Sequence, residues 1–263
     1  MRLIIITFII LINTIAANGT ESQMNSSNID SSTIRQNYNS FDTILQSFSS
    51  SDGKIDYTSI RNDPFNLNKF LNFIGTVSPR SHHDYFSEAD AKAYWINVYN
   101  ALAIKTIIDN PDVDSIREIA WGMGAFWRTK FVVGGEKLTL NNIEHKILRK
   151  QYKDPRIHFA INCASNSCPP IGNRIVTGEN LSEQLDKKAF DFINNAANVR
   201  FDHRAKKVYL SRIFKWFKKD FTRNHTSLLE YILKYHSAKD LIEYDEISSY
   251  KIIYNQYDWS LND

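Results

Sequence analysis

The stretch from Ser87 to Asp109 constrains the fold more than any other part of this sequence. Ser87 is placed to cap a helix, Glu88 and Asp90 put acid in its first turn, and Pro111 stops it. Laid out at 100° per residue it is apolar on nearly every side, with Trp95, Val98 and Leu102 on one face and Ile104 and Ile108 on another. A helix without a polar face belongs in an interior, so the segment predicts a buried central helix that the rest of the chain wraps. Asn97 and Asn100 fall beside Ile104 and Ile108. Their amides leave water and require partners, either as structural pins or as part of a site.

Around that helix the sequence predicts a helix-rich α+β domain. Phe41, Ile44, Leu45 and Phe48 recur at helical spacing and mark where order begins. Gly134-Gly135 after Phe131–Val133 reads as a hairpin turn, and Thr139 caps a helix from Leu140 to about Lys150. Arg156 to Asn162 alternates, with Ile157, Phe159 and Ile161 opposite His158, Ala160 and Asn162, which predicts a strand. It runs into the loop Cys163-Ala164-Ser165-Asn166-Ser167-Cys168-Pro169-Pro170. Asn180 with Glu183 predicts a capping box for a helix through Phe190 and Ile193. A hairpin sets Val199 and Phe201 against Val208 and Leu210, and further helices are expected near Ser211–Lys219 and Thr226–His236 before an aromatic tail.

The amino terminus has the order of an export signal. Met1-Arg2 precedes an apolar run from Leu3 to Ile12, and small residues follow at Ala16-Ala17. Asn13 and Asn18-Gly19-Thr20 interrupt the run well short of the roughly 20 residues a membrane span needs. The expected organisation is therefore a signal peptide over residues 1–17, a Ser/Asn-rich disordered leader over 18–40, and one globular domain over 41–263 of a secreted protein. The remaining length, about 240 residues, suits a single domain. Sequons at Asn25, Asn180 and Asn224 suit a glycoprotein. Net charge is only +3 and basic residues are interspersed with acidic ones, so nucleic acid is not an expected partner, and no later segment is apolar enough to span a membrane. Lys215, Lys218 and Lys219, around Trp216-Phe217, read as a solvated helix face.

Several motifs in order resemble the family called domain of unknown function 547. They are Ala93-Tyr94-Trp95-Ile96-Asn97-Val98-Tyr99-Asn100-Ala101, Ser115-Ile116-Arg117-Glu118-Ile119, Leu138-Thr139-Leu140-Asn141-Asn142-Ile143-Glu144-His145, and Asp154-Pro155-Arg156-Ile157-His158-Phe159-Ala160-Ile161-Asn162-Cys163. Ser167-Cys168-Pro169-Pro170 and the terminal Tyr257-Asp258-Trp259-Ser260-Leu261-Asn262 complete the resemblance, which spans roughly Asp52 to Asp263. Tyr94 stands where the family more often has Phe, and the spacer between the cysteines departs from a Gly- and Lys-containing version. The resemblance implies no established reaction.

The candidate chemistry gathers at the end of the expected strand. Glu144 projects into the apolar face of its helix and must be paired or protonated. A thiol enzyme would use Cys168 or Cys163 as nucleophile, His158 or His145 as base, and Glu144 with Asn97 or Asn100 to orient the imidazole, for hydrolysis or transfer of an amide or thioester. Cys168, before Pro169, suits a helix start where a thiol pKa falls. Three other readings stand beside it. A Cys163–Cys168 disulfide would leave a non-catalytic binding or structural domain. A metal could be held by His145, His158 and the cysteines, although their spacing is looser than in common zinc sites, and His82-His83-Asp84 is more simply a polar loop. The buried polar groups could also form a purely structural network. No cofactor or metal is called for, and the partner is an unidentified substrate or protein.

Overall fold

The computed structural model describes residues 31–239 and 244–263. The expected signal peptide, the first part of the leader and the Asn25 sequon lie outside them. Three helices, α1 (Ser31–Phe48), α2 (Tyr57–Asn62) and α3 (Phe65–Thr76), precede α4 (Glu88–Ile108). Helical backbone thus begins at Ser31, inside the stretch that composition assigned to the leader, because Tyr38 packs its ring edge-on to Phe70, Phe73 and Tyr94. Phe41, Ile44 and Leu45 are buried as the spacing predicts.

Helix α4 is the axis of the fold. Ser87 caps it by accepting from the Asp90 amide at 3.1 Å, and every residue from Ala93 to Ile104 is buried. With no face toward water it needs internal partners for its amides. Asn97 donates to the carbonyl of Val176 at 2.7 Å and accepts from its N–H at 3.2 Å. Asn100 donates to the Ala160 carbonyl at 2.9 Å and accepts from the Asn162 N–H at 2.8 Å. Each amide thus closes a two-bond ring with the backbone of a chain that has no secondary-structure partner of its own.

A short helix α5 (Gly124–Trp127) is followed by strands β1 (Phe131–Val133) and β2 (Glu136–Leu138), antiparallel with Val133 opposite Glu136. Gly134 and Gly135 turn between them with positive φ, and a side chain at Gly134 would collide with that of Ser78. Thr139 then caps the next helix through a reciprocal pair, accepting from the Asn142 N–H and donating its own N–H to the Asn142 side chain. The helix, Asn142–Tyr152, has π character and ends in a left-handed Lys153.

The expected strand at 156–162 is not formed. Asp154 caps a 3₁₀ turn, Pro155–Phe159, by accepting from the Arg156 amide, and Pro155 supplies the first helical φ. The alternation misled because both sets of side chains are buried. Ile157 enters the core around α4, Phe159 enters a second core, and His158 lies between them.

That second core is built by α6 (Leu181–Ile193), the sheet β3 (Val199–Asp202), β4 (Lys207–Leu210) and β5 (Lys251–Tyr254), and helices α7 (Arg212–Trp216), α8 (Lys218–Phe221), α9 (Leu228–Tyr235) and α10 (Tyr244–Ser248). Strands β3 and β4 pair antiparallel, Val199 with Leu210 and Phe201 with Val208, as predicted, and β5 adds parallel to β4. Two local expectations change. Asn180 is left-handed and makes no cap bond, so the capping box is absent. The single helix expected over Ser211–Lys219 is broken at Phe217, whose ring turns inward beneath His158.

The chain ends as a strap across both cores. Asn262 accepts from the Ile55 N–H and from Tyr57, and Ser115 donates to the Trp259 carbonyl. The architecture is a helix-rich α+β domain, as the sequence implies. Asn100→Ala removes the side-chain half of a buried two-bond ring and strands an amide and a carbonyl, so it is predicted to lower unfolding free energy by about 3 kcal/mol. Urea denaturation checks this, and a loss below about 1 kcal/mol would show that Asn100 is not the pin.

Candidate functional site

The two cores meet along a cleft of about 890 Å³. Its floor takes Tyr99 from α4, Glu144, His145 and Arg149 from the π-helix, and His158 from the 3₁₀ turn. Both cysteines close one end. Five of the seven residues singled out in the sequence therefore converge, and the other two, Asn97 and Asn100, serve the backbone instead of orienting an imidazole.

The π register explains part of the convergence. Bonds that close at i+5 stack Glu144 and Arg149 one turn apart, while Arg149 reaches back to His145 at i−4 and donates to its Nδ1. The same guanidinium donates from Nε to Asp220 Oδ2 at 2.6 Å. That oxygen also receives His158 Nε2 at 2.8 Å. The imidazole of His158 stacks on Phe217, centroids 3.8 Å apart, and its Nδ1 is buried without a hydrogen-bond partner.

Cys163 and Cys168 are joined by a disulfide, and no free cysteine exists among the described residues. The expected nucleophile is thus absent from this structure, and the disulfide reading of the loop is the one it adopts. Closing so short a loop contributes about 2 kcal/mol in the chain-entropy model. Tyr257 from the terminal strap places its hydroxyl 3.0 Å from Cys168 Sγ. Trp216, Tyr257 and Trp259 form one aromatic wall, with centroids 4.6 to 5.7 Å apart, and Trp127 stands opposite, stacked at 6.3 Å on His145. Among the described residues, no three His, Cys, Asp or Glu side chains are grouped to hold a metal ion, and His83 of the His-His-Asp motif is exposed and pairs only with neighbouring Asp84.

Residues 84–193 match the model of a family described as "Protein of unknown function, DUF547". Over this stretch the chain is similar to the DUF547 family. Comparisons with curated proteins and with solved structures gave no match. The matched DUF547 region contains α4, the π-helix, the 3₁₀ turn and the disulfide loop. Asp220, Phe217, Trp216, Tyr257 and Trp259, which complete the cleft, lie C-terminal to it. Sequence reasoning missed Asp220 because it sits among lysines that do face solvent, and it did not single out Arg149. The Tyr257–Asn262 motif was the one available signal for the aromatic wall.

Electrostatics in this cleft leave little unpaired negative charge. Burial opposes ionisation of Asp220, but hydrogen bonds from His158 and Arg149 outweigh it and hold the carboxyl below the usual range. Burial also drives His158 toward its neutral form despite Asp220, so Nε2 carries the proton it donates. His145 falls to about 4, through burial and then the Arg149 charge, which matches its role as an acceptor. Glu144 is pushed up to about 7 by burial, with Arg149 and the Tyr99 hydroxyl at 3.4 Å opposing only in part. An unfolded glutamate titrates near 4.3. Between those values the folded protein keeps a proton that the unfolded chain has lost, so this group makes stability fall as pH rises and level off above about pH 7. Glu144→Gln should abolish that slope and gain up to about 3 kcal/mol over wild type at about pH 8, with no gain near pH 4. Urea denaturation across this range tests it, and parallel curves for the two proteins would reject it.

Proposed function

We propose that this domain is an extracytoplasmic binding protein whose cleft takes a small organic anion with a flat ring. The observation that carries the reading is a charge imbalance inside an aromatic cavity. Arg117 and Arg212 line the cleft and form no ion pair among the described residues, while Asp220 is already paired with Arg149 and hydrogen-bonded by neutral His158, and Glu144 gives up its proton only near pH 7. Arg117 lies over the Trp259 ring at 5.2 Å, so a ring lying along that wall would bring its own anionic group to a guanidinium. Concave sites of this size, mostly aromatic with a few convergent polar groups, are where small ligands bind.

Placement outside the cytosol is supported by the order of the N-terminus, by a disulfide as the state of both cysteines, and by exposed side chains at Asn180 and Asn224, open to glycans. No helix among the described residues is long and apolar enough to cross a membrane. A hydrolase acting through a free thiol lacks support here, since the two sulfurs are bonded to each other.

The probe for this reading is 8-anilinonaphthalene-1-sulfonate, a ring system with one fixed anion. Titration is expected to show saturable fluorescence that weakens about tenfold in Arg212→Ala, with a similar loss in Trp216→Ala. Binding should also decline in about 0.5 M NaCl. Binding that ignores Arg212→Ala and salt alike would mean the dye reports only apolar surface, and the anion reading would fall.

A further inference from the structure

We propose that the cleft disulfide is exchange-active: an anionic low-molecular-weight thiol attacks Cys163, and Cys168 leaves as a thiolate. The substrate class rests on the anion-binding reading of the cleft; the direction of attack does not. Both cysteines are only partly buried and line the cavity, so an incoming thiolate can reach them.

The two sulfurs are not equivalent. A disulfide sulfur has no proton, so every polar hydrogen aimed at it is donated to it. Cys168 Sγ receives the backbone N–H of Cys163 at 3.0 Å and the Tyr257 hydroxyl at 3.0 Å. Ser165 Oγ, 3.4 Å away, faces the same sulfur and also lies 3.1 Å from the Tyr257 oxygen, where its donation would polarise that phenol further. Around Cys163 Sγ the same hydroxyls stand at 3.3 and 3.4 Å, and among the described residues no backbone amide points at it. Tyr257 itself is held protonated by burial, which keeps it a donor. The donors therefore stabilise negative charge on Cys168, and the better leaving group departs faster.

The loop is also held by hydrogen bonds that do not involve the sulfurs. Asn162 accepts from the Ala164 N–H at 2.7 Å and donates to the Pro169 carbonyl at 2.8 Å, and Ala164 sits in a left-handed conformation at φ 60°. Asn166 and Ser167 donate their amides to the carbonyls of Ser260 and Asp258 in the strap. These bonds are expected to keep the two sulfurs neighbours after the disulfide opens.

In the first step the substrate thiolate forms a bond to Cys163 Sγ, the Sγ–Sγ bond breaks, and its electron pair moves to Cys168. In the second step another substrate thiolate attacks the substrate sulfur of the mixed disulfide and releases Cys163. Two thiols are oxidised to one disulfide, the protein disulfide is reduced to two thiols, and the two substrate protons end on the cysteines.

The test uses the full disulfide-bonded protein with two thiols of similar size and opposite charge, 2-mercaptoethanesulfonate and cysteamine. Short reactions are quenched with acid, alkylated and mapped by mass spectrometry. The adduct is expected on Cys163 with the alkyl group on Cys168. Tyr257→Phe is expected to slow adduct formation about fivefold. The sulfonate is expected to react about tenfold faster than the amine at low salt, after correction for thiolate fraction. An adduct mainly on Cys168 of the wild-type protein overturns the proposal, and so does a Tyr257→Phe rate within twofold of wild type in protein with native near-ultraviolet dichroism. An adduct on Cys163 with equal rates for the two thiols upholds the direction of exchange and overturns the anionic substrate.

Discussion

The burial of α4 on all sides is the constraint on which the rest of this structure depends. Fifteen of its residues are out of water, so every neighbouring segment must offer apolar surface, and any polar side chain it carries must find a partner within the protein. Asn97 and Asn100 meet that demand with backbone groups of the 160–162 and 176 segments. Those segments are irregular, and the amides of α4 stand in for the sheet neighbour they lack. The position of the disulfide loop follows, because Asn162 is held by Asn100 on one side and ties down Ala164 and Pro169 on the other.

The cleft lies where the core around α4 meets the aromatic core of the C-terminal third. His158 marks the seam, with Ile157 and Phe159 committed to opposite cores. A side chain in that position is buried yet faces the gap, which is why burial favours its neutral form while its Nε2 still finds Asp220. Arg149 balances the same carboxylate. The outcome is a cavity whose acids are paired or protonated and whose remaining arginines, Arg117 and Arg212, form no ion pair among the described residues, beside a disulfide with donors aimed at one sulfur.

Much of this was legible beforehand. The central helix, both hairpins and the caps at Ser87 and Thr139 follow from local pattern, because each depends on side chains close in sequence. The strand at 156–162 was not legible correctly. Alternation identifies a strand only when one face meets water, and here both faces meet protein, so Pro155 and the Asp154 cap decided the backbone. The broken helix at Phe217 is likewise a tertiary matter, since its ring stacks on His158, 59 positions away.

What the sequence alone determined about this protein is its helix-rich class, its buried axis and the set of residues that had to leave water, since periodicity and burial act over one or two turns. Tertiary structure alone decided which partners those residues found. Asp220 and Tyr257 come from 62 and 89 positions away from the groups they contact, and no local spacing encodes such a meeting. The choice between thiol and disulfide was likewise settled by distance, because Asn162 and the terminal strap hold the loop in the shape that brings Cys163 and Cys168 together.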